Sequence, residues 1–481
     1  MQASTPGYSD FIPALVDALG PAAVHVGDAI NARHQSDWSG AHPVRPLAVL
    51  LPADTQGVAT SLRLCHAHRV PVVPQGGMTG LAGGALPLAH GVALSLERLN
   101  AIEDVDTAAA TLTVQAGVTL QAAQEAVGAA GFQLGVDLGA RGSCQIGGNL
   151  ATNAGGNGVL QFGMMREQVL GLEVVMADGT VLDMMRPMIK NNTGYDLKHW
   201  FVGSEGTLGI ITRAILRLHP ARRARLSTLV ALPDFACVIR LLRRLQSAFP
   251  GALSAFELMW EDFFTASLQW SQTQSPFGRT YPFAVLTEVT GGDEAALAEH
   301  LQDVLAQAMD QGEVLDAVLA QTEFQARALW RIREASAEFP SRLDPINFDI
   351  SLPIGSIGEF ADACIEALTQ RWPGQRSLRF SHLGDGNLHL TTDARSLGAS
   401  SATEQDVHEL QELVYGLLAE RGGSISAEHG IGLHKKPYLG LSRSQAELMA
   451  MRAIKQALDP LNLLNPGKVF DLKPSDMKAN T

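Results

Sequence analysis

Three clusters of glycine in the first 220 residues constrain this chain more than any other feature. The first lies in Pro74–Gly84, directly after a short apolar segment, and the second lies in Gly142–Gly156. The third, Gly203–Gly209, has a glycine at every third position. Glycine lets the main chain approach a bound group closely, and successive backbone N–H groups can then converge on one anion. Three such loops in one region predict a long phosphate-containing ligand that lies along the backbone.

The sequence of these loops excludes two common nucleotide sites. No Gly-Lys-Ser/Thr follows the first loop, so it is not a P-loop. The last glycine of a Gly-x-Gly-x-x-Gly motif is also missing after each Gly-x-Gly stretch, where Gln161, His389 and Lys435 stand instead. A Rossmann site for a nicotinamide cofactor is therefore not expected.

The composition indicates a folded, acidic protein. Its 481 residues carry a formal net charge of −13, with 46% hydrophobic and 18% charged residues. This excludes a largely disordered chain and argues against nucleic acid as a partner, which would need clustered Lys and Arg. No apolar run approaches the roughly 20 residues of a transmembrane helix. The four cysteines form no Cys-x-x-Cys pair, and the first basic residue, Arg33, comes too late for a secretory signal. We therefore expect a cytoplasmic protein with buried thiols, and contact with the inner face of a membrane stays open.

Two regions differ in their secondary-structure pattern. Up to Pro220, short apolar strands alternate with glycine-rich turns and a few helices, including one predicted over Thr55–His68. Beyond the basic cluster Arg222–Arg225, long amphipathic helices alternate with isolated strands, which predicts an α+β domain with a mostly antiparallel sheet. The predicted helices of the second region are Phe235–Ser247, Glu294–Met309, Phe324–Ser336, Ile357–Arg371, Glu404–Arg421 and Ser444–Leu458.

Two histidines flank a predicted turn in the second region. Gly384–Asn387 is a strong turn signal between two short strands. If Leu383 and Leu388 close the hairpin, His382 and His389 are cross-strand partners on one face, with Cβ atoms about 4.5–5.5 Å apart. Two imidazoles at that separation can bind one metal ion, although two structural histidines remain the alternative.

A second histidine motif follows nearer the C-terminus. Glu428-His429, followed by Gly430-Ile431-Gly432, supplies a candidate carboxylate and a further imidazole. Two histidines and one glutamate make an open three-ligand site, which suits Zn²⁺ or another divalent ion and leaves a position for substrate.

Together these motifs resemble the PCMH-type FAD-binding flavoproteins of the vanillyl-alcohol-oxidase superfamily, and within it the D-2-hydroxyacid dehydrogenases. The resemblance rests on the three loops, on Asn191–Leu197 and on the histidine motifs, and it runs from about Pro43 to Val469. It implies an α+β fold, in which a two-lobed FAD-binding domain precedes an α+β substrate or cap domain with a mostly antiparallel sheet. The implied divisions are an N-terminal segment (1–42), the FAD-binding domain (43–221), a substrate- and metal-binding domain whose last segment returns to the flavin (222–470), and a tail (471–481).

The resemblance implies how FAD is held. Relatives that tether the flavin do so through a histidine in the first loop, and none stands between Arg69 and Ala89, so FAD should be non-covalent. The diphosphate would lie on Gly76–Gly80, and Gly206–Ile211 would lie toward the adenine. The implied cofactor-binding residues are Pro74, Gly76, Gly77, Met78, Thr79, Gly80, Ser143, Gly147, Gly148, Asn153, Gly206, Ile210, Ile211 and Asn465.

The resemblance also assigns a metal and a substrate site. By position the metal ligands are His382, His389 and Glu428, with Zn²⁺ as the first choice and Mn²⁺ as the second, and His429 is the general base. Arg333, in a Trp330–Glu334 helix motif, would grip a substrate carboxylate. The implied substrate-binding residues are Arg333, Asn347, His382, His389, Thr391 and His429.

The distal end of that substrate site departs from the pattern of hydroxyglutarate enzymes. A Thr and a Lys of the pattern align with Ala337 and Asn347, and an Asn that often follows the second metal histidine aligns with Thr391. This weakens the site for a second carboxylate.

The expected reaction is oxidation of a D-2-hydroxy acid to the 2-oxo acid, with D-2-hydroxyglutarate ranked first and D-lactate or D-malate next. FAD would accept the hydride at N5, and His429 would accept the hydroxyl proton. The expected electron acceptor is an electron-transfer flavoprotein, a quinone or a cytochrome, and a homodimer is a candidate assembly. Three other interpretations stay open: an FAD oxidase of the same superfamily that uses O₂, a flavin-carrying subunit of a glycolate-oxidase-type complex, and a non-catalytic protein with a structural metal.

Overall fold

A computed structural model describes residues 10–398 and 402–472 of the chain. These residues divide into two compact units, the first formed by 10–156, 162–221 and 428–472 and the second by 157–161, 222–398 and 402–427. One boundary between the units falls between residues 221 and 222. Residues 428–470, the end of the predicted substrate- and metal-binding domain and the part expected to return to the flavin, belong to the first unit. Residues 1–9 of the predicted N-terminal segment and 473–481 of the predicted tail lie outside the described residues.

The helices and strands are numbered in chain order. The α-helices are α1 (Phe11–Leu19), α2 (Thr55–His68), α3 (Leu120–Ala129), α4 (Ile146–Ala151), α5 (Val159–Phe162), α6 (Met165–Gln168), α7 (Lys198–Phe201), α8 (Phe235–Ala248), α9 (Glu261–Ser271), α10 (Glu294–Asp310), α11 (Glu323–Arg333), α12 (Phe339–Arg342), α13 (Ile357–Arg371), α14 (Glu404–Ala419), α15 (Leu439–Ser442) and α16 (Gln445–Leu458). The strands are β1 (Val24–His25), β2 (Ala48–Leu50), β3 (Val72–Gln75), β4 (Val92–Ser95), β5 (Ile102–Asp106), β6 (Thr111–Gln115), β7 (Phe132–Gln133), β8 (Val169–Val175), β9 (Val181–Met184), β10 (Ile210–Arg217), β11 (His219–Pro220), β12 (Ala224–Leu232), β13 (Leu253–Trp260), β14 (Phe283–Gly291), β15 (Asp316–Leu319), β16 (Pro345–Ser351), β17 (Ser377–His382) and β18 (Asn387–Asp393). No helix among the described residues is both long and apolar enough to cross a membrane.

The first unit has two main sheets, each with its own apolar core. One sheet has the order β1-β2-β4-β3, in which β2, β4 and β3 are parallel. Its core contains Leu50, Val72 and Leu94, all fully buried. The other sheet is antiparallel, with the order β5-β6-β10-β8-β9, and α3 and α4 contribute Leu120 and Leu150 to its core. These two layers confirm the predicted two-lobed domain.

The second unit is built on one seven-stranded sheet with the order β15-β12-β14-β13-β17-β18-β16. Every strand pairing in it is antiparallel, as predicted. Apolar side chains of α9 and α11, such as Phe263 and Ile332, pack in one core with sheet residues such as Leu229 and Phe380.

Most helix predictions agree with the structure because the capping residues are readable. The carboxylate of Asp54 accepts a hydrogen bond from the Gly57 N–H (2.7 Å) at the start of α2, which has the predicted bounds. Ser444 caps α16 in the same way. The predicted helix Phe324–Ser336 is shorter, since α11 ends at Arg333 and a 3₁₀ turn continues to Glu338.

The register of the histidine hairpin differs from our prediction. His382 pairs with Asn387, and His389 pairs with Phe380, so the histidines are not directly opposite. The turn includes Leu383, and Gly386 (φ 85°) takes the left-handed conformation that closes it. The closing pair is therefore His382 and Asn387 rather than Leu383 and Leu388, one residue earlier in the sequence on each strand, and the turn keeps its predicted length. Because side chains alternate between faces, His382 and His389 still lie on one face, as diagonal neighbours.

Candidate functional site

The first glycine loop leaves the end of β3 and lies against the second loop. A Cβ added at Gly77 would stand 2.0 Å from the carbonyl oxygen of Ser143, so only glycine fits there. Met78 has φ 61°, which turns the chain sharply. Among the described residues, no hydrogen bond uses the backbone N–H of any residue in Gly76–Gly80. This run of available donors is what an anionic diphosphate requires.

The second loop leads into α4 and places a buried amide beside the first loop. Gly147 lies against Ala116, while a Cβ at Gly148 would meet no atom within 4 Å. The Oε1 atom of Gln145 is buried without a hydrogen-bond partner among the described residues. It lies 3.5 Å from where a Cβ of Gly76 would stand. A buried acceptor beside an open glycine surface fits a ligand that donates hydrogen bonds, because such an acceptor is costly to leave unpaired.

The third loop is joined to the first by Asn465, which lies in the C-terminal segment of the chain. Asn465 Nδ2 donates to the carbonyl oxygens of Gly84 (2.9 Å) and Glu205 (2.8 Å). Its Oδ1 atom is a second buried acceptor without a partner in the described part of the chain. Gly206 packs against the ring of Pro74, which brings the third loop onto the end of β3.

The side chains of three predicted cofactor-binding residues make their contacts within the first unit. The side chain of Asn153 accepts a hydrogen bond from the Arg166 N–H (2.9 Å) and contacts the sulfur of Met164. Ile210 and Ile211 begin β10, and their side chains are buried in the two cores of the unit. These three residues shape the region through the backbone and through packing. Thr79 and Gly80, by contrast, are not buried.

The three loops together fit FAD. They contribute available N–H groups at Gly76–Gly80, buried acceptors at Gln145 and Asn465, and an open surface at Gly148. An FAD molecule carries a diphosphate that needs donors, and hydroxyl and ring N–H groups that need acceptors. The sequence pattern revealed the glycines, but it gave no sign that Gln145 would supply an unpaired oxygen.

In the second unit, the two hairpin histidines lie together on the sheet. The ring centroids of His382 and His389 are 5.4 Å apart at an interplanar angle of 79°. The ring of His389 stacks on Phe380 with centroids 4.6 Å apart, which fixes its orientation. Two imidazoles in this arrangement are a suitable half of a divalent-metal site.

Glu257, which sequence reasoning missed, lies directly beside His382. It pairs with His382 in the sheet, it is 2% exposed, and its Oε1 atom is 2.8 Å from His382 Nδ1. Its Oε2 atom accepts a hydrogen bond from Arg333 Nε at 2.7 Å. Burial alone would raise the pKa of the Glu257 carboxyl, but His382 and Arg333 outweigh it and lower that pKa. The sequence feature that could have indicated Glu257 is a single carboxylate within the largely apolar strand Leu253–Trp260.

Arg333 was predicted to grip a substrate carboxylate, and it lies beside the histidines. Arg333 is 6% exposed, and its guanidinium stacks over Phe380, with Cζ 4.3 Å from the ring centroid. The Nη2 atom is 3.3 Å from His382 Nε2. Arg333 is therefore a buried residue and not an exposed surface arginine.

Asn347 and Thr391 form a cross-strand pair, and Thr391 Oγ1 donates to Asn347 Oδ1 at 2.8 Å. Because alternate residues share a face, this pair lies on the same face as Asp349 and His389. Two of the three departures from the hydroxyglutarate pattern, Asn347 and Thr391, therefore form a hydrogen bond with each other.

Glu428 and His429 lie in the first unit, directly after the second unit ends at Ala427. The Glu428 carboxylate accepts a hydrogen bond from the Gly156 N–H of the second loop at 3.3 Å. Two residues beyond His429, the Ile431 N–H donates to Glu205 at 2.7 Å. Both contacts attach this segment to loops that we assign to FAD.

The fold and the loops define a PCMH-type flavoprotein. Residues 221–469 match the family described as FAD linked oxidases, C-terminal domain, and residues 46–185 match the family described as FAD binding domain. The chain therefore belongs to the FAD-linked oxidases, and it is an FAD-dependent oxidoreductase.

Relatives agree with this assignment, and a solved structure shares the fold. The chain is 40% identical to a D-2-hydroxyglutarate dehydrogenase of Xanthomonas citri pv. viticola, over 90% of this chain and 91% of that protein. It is 38% identical to the mitochondrial D-2-hydroxyglutarate dehydrogenase of Bos taurus, over 90% of this chain and 78% of that protein. Its fold is similar to that of p-cresol methylhydroxylase with substrate bound, with a TM-score of 0.75 at 16% identity, over 97% of this chain and 98% of that structure.

Proposed function

We propose that this protein oxidises a D-2-hydroxy acid to the 2-oxo acid, with D-2-hydroxyglutarate as the first candidate and D-lactate or D-malate next. The observation that carries the proposal is the group of His382, His389 and Arg333 on one face of the sheet. It combines two metal-binding imidazoles with a cation that can bind a carboxylate. The names of the relatives support the same substrate class.

FAD would be held non-covalently, since the first loop has no histidine to tether it. When bound, FAD supplies the hydride acceptor of the reaction. The N–H groups of Gly76–Gly80 would bind the diphosphate, and the buried oxygens of Gln145 and Asn465 would accept hydrogen bonds from the cofactor. The electrons would then pass to an electron-transfer flavoprotein, a quinone or a cytochrome.

A divalent cation, Zn²⁺ before Mn²⁺, would be held by His382, His389 and Glu428. When bound, the cation orients a 2-hydroxy acid and lowers the pKa of its hydroxyl group. The position of Glu428 in the chain supports its role as the third metal ligand. The Ala427 N–H donates to the Asp349 carbonyl at 3.3 Å, and Asp349 pairs with His389 in the sheet. Glu428 is the next residue after Ala427.

His429 would accept the proton of the substrate hydroxyl, because a neutral imidazole is a suitable base near neutral pH. Glu428, the adjacent residue, would bind the cation. Arg333 would bind a substrate carboxylate with the part of its guanidinium that Glu257 and His382 do not use. The polar pair of Asn347 and Thr391 would line the distal end of the substrate.

A dye-reduction screen with the purified chain tests the proposal. We expect turnover of D-2-hydroxyglutarate, D-lactate and D-malate, with the L-enantiomers poor, because a hydride acceptor and a base held in fixed positions would act on only one face of C2. The expected ranking places D-2-hydroxyglutarate first. Turnover confined to L-enantiomers, or to alcohols without a neighbouring carboxylate, would contradict the proposed substrate class. Rapid peroxide formation without the dye would favour an oxidase.

A further inference from the structure

One buried carboxylate contacts both the proposed metal ligand and the proposed substrate arginine. Glu257 lies in β13, between the apolar residues Phe256 and Leu258, and is 2% exposed. Its Oε1 atom is 2.8 Å from His382 Nδ1, and its Oε2 atom is 2.7 Å from Arg333 Nε. Burying a carboxylate is costly unless it is paired, and here each oxygen has its own partner.

These contacts determine which nitrogen of His382 carries the proton. A guanidinium can only donate hydrogen bonds, and Arg333 Nη2 is 3.3 Å from His382 Nε2. Nε2 must therefore be the accepting nitrogen, and Nδ1 must carry the proton that it donates to Glu257. An imidazole with this tautomer has its lone pair on Nε2, so a metal ion bound there would replace the contact with Arg333, while the hydrogen bond from Nδ1 to Glu257 would remain. A carboxylate behind a ligating histidine commonly fixes ring and tautomer in this way.

The same carboxylate fixes the guanidinium of Arg333. Nε is bound by Glu257, Nη2 faces His382, and the plane stacks over Phe380. Among the described residues, no hydrogen bond uses Nη1, so this nitrogen is left to meet a ligand. Arg333 is the last residue of α11, so the helix determines where its backbone lies. The contacts with Glu257 and Phe380 determine where its side chain lies.

We propose that Glu257 is a positioning residue that sets the tautomer and orientation of His382 and aims the guanidinium of Arg333. One carboxylate thereby fixes the positions of His382, the proposed metal ligand, and of Arg333, the proposed binder of the substrate carboxylate, relative to each other. This inference rests on the proposed function, because it takes His382 as a metal ligand. It adds a residue that the sequence motifs did not include.

Zn²⁺ binding tests the role without relying on turnover. FAD-loaded full-length protein is stripped of metal and titrated with Zn²⁺ against a chromophoric chelator, with flavin absorbance recorded in parallel. We expect Glu257→Gln to weaken Zn²⁺ binding by about 10- to 100-fold, the range for loss of such a partner, with FAD content unchanged. Glu288→Gln is the matched control, since Glu288 lies in the neighbouring strand β14, is 5% exposed, and is bound by Ser254. It should bind Zn²⁺ as the wild type does.

A second variant separates positioning from misfolding. Glu257→Gln leaves the buried Arg333 without its counter-charge, which can destabilise the unit by itself. The double variant Glu257→Gln/Arg333→Gln removes that charge. We expect its Zn²⁺ affinity to stay as low as in Glu257→Gln, while Arg333→Gln alone keeps wild-type Zn²⁺ affinity and raises the KM for substrate.

The outcomes distinguish this inference from the proposed function. If His382→Ala loses Zn²⁺ binding and Glu257→Gln does not, the metal site stands and the positioning role is wrong. Recovery of wild-type affinity in the double variant would also overturn the role, because the loss would then come from unpaired Arg333. If the wild type binds no Zn²⁺ or Mn²⁺, the proposed metal site itself is wrong, and the positioning role falls with it.

Discussion

The carboxylate of Glu205 accepts a hydrogen bond from the backbone N–H of Ile431 at 2.7 Å, and its second oxygen accepts one from the next residue, Gly432, at 2.9 Å. Glu205 belongs to the third glycine loop and has φ 51°. Burial raises the pKa of its carboxyl group. This contact ties a loop that we assign to FAD to the segment that carries Glu428 and His429.

Glu205→Gln should loosen that segment. The amide keeps one acceptor oxygen but turns its other end into a donor, so one buried backbone N–H loses its partner at a cost of about 1–3 kcal/mol. We expect a lower midpoint of urea unfolding and a lower Zn²⁺ affinity. Glu125→Gln, the same change at an exposed position of α3, should alter neither. Identical behaviour of the two variants would show that Glu205 does not hold the segment.

His429→Asn should slow flavin reduction by substrate at least about 100-fold, the lower end for loss of a general base. Asparagine approximates the size of the ring, so FAD and metal content should remain at wild-type levels. Stopped-flow absorbance measures the rate of flavin reduction. His408→Asn, at a half-exposed position of α14, is the control. A His429 variant that reduces its flavin at the wild-type rate would leave this histidine a structural role.

Arg333→Ala should discriminate between substrates. If Arg333 binds a distal carboxylate, kcat/KM for D-2-hydroxyglutarate and D-malate should fall much further than kcat/KM for D-lactate, which has no second carboxylate. Arg331→Ala removes an exposed arginine from the same helix and should leave all three values unchanged. Equal losses for dicarboxylates and D-lactate would indicate that Arg333 acts on the shared carboxylate or on His382.

Lys468 should make stability depend on alkaline pH. Burial lowers the pKa of its ammonium group to about 8, and Asp37 and Glu205 offset part of that effect. An unfolded lysine titrates at about 10.4, so between these values the unfolded state binds more protons. The wild type should therefore gain stability relative to Lys468→Met as the pH rises from 8 to 10, by up to about 3 kcal/mol. Urea unfolding of both proteins at several pH values measures the difference, and parallel curves would contradict it.

Local signals predicted the fold well where one residue determines an element. Asp54 caps α2, which has the predicted bounds, and Ser444, predicted as the first residue of the last helix, is the residue that caps α16. The turn that contains Gly386 was also predicted. The register of that hairpin differs from the prediction, because both registers place His382 and His389 on one face and the alternation of side chains does not distinguish between them.

Contacts between residues distant in sequence could not be predicted in the same way. Nothing in the sequence near Glu257 indicates that a strand pairing brings it to His382, or that Arg333, 76 residues later, supplies the second partner. Asn465 was expected at the cofactor, but its bonds to Gly84 and Glu205 depend on how the C-terminal segment packs.

Anaerobic flavin reduction by D-2-hydroxyglutarate, with and without bound metal, tests the central claim most directly. We expect the metal-loaded protein to bleach its flavin rapidly. The stripped protein should keep FAD and reduce it at least about 100-fold more slowly, and added Zn²⁺ or Mn²⁺ should restore the rate. His389→Ala should behave like the stripped protein even with added metal. Full-rate reduction in protein shown to contain no metal would contradict a metal-assisted oxidation, and no reduction in loaded protein would contradict the proposed substrate.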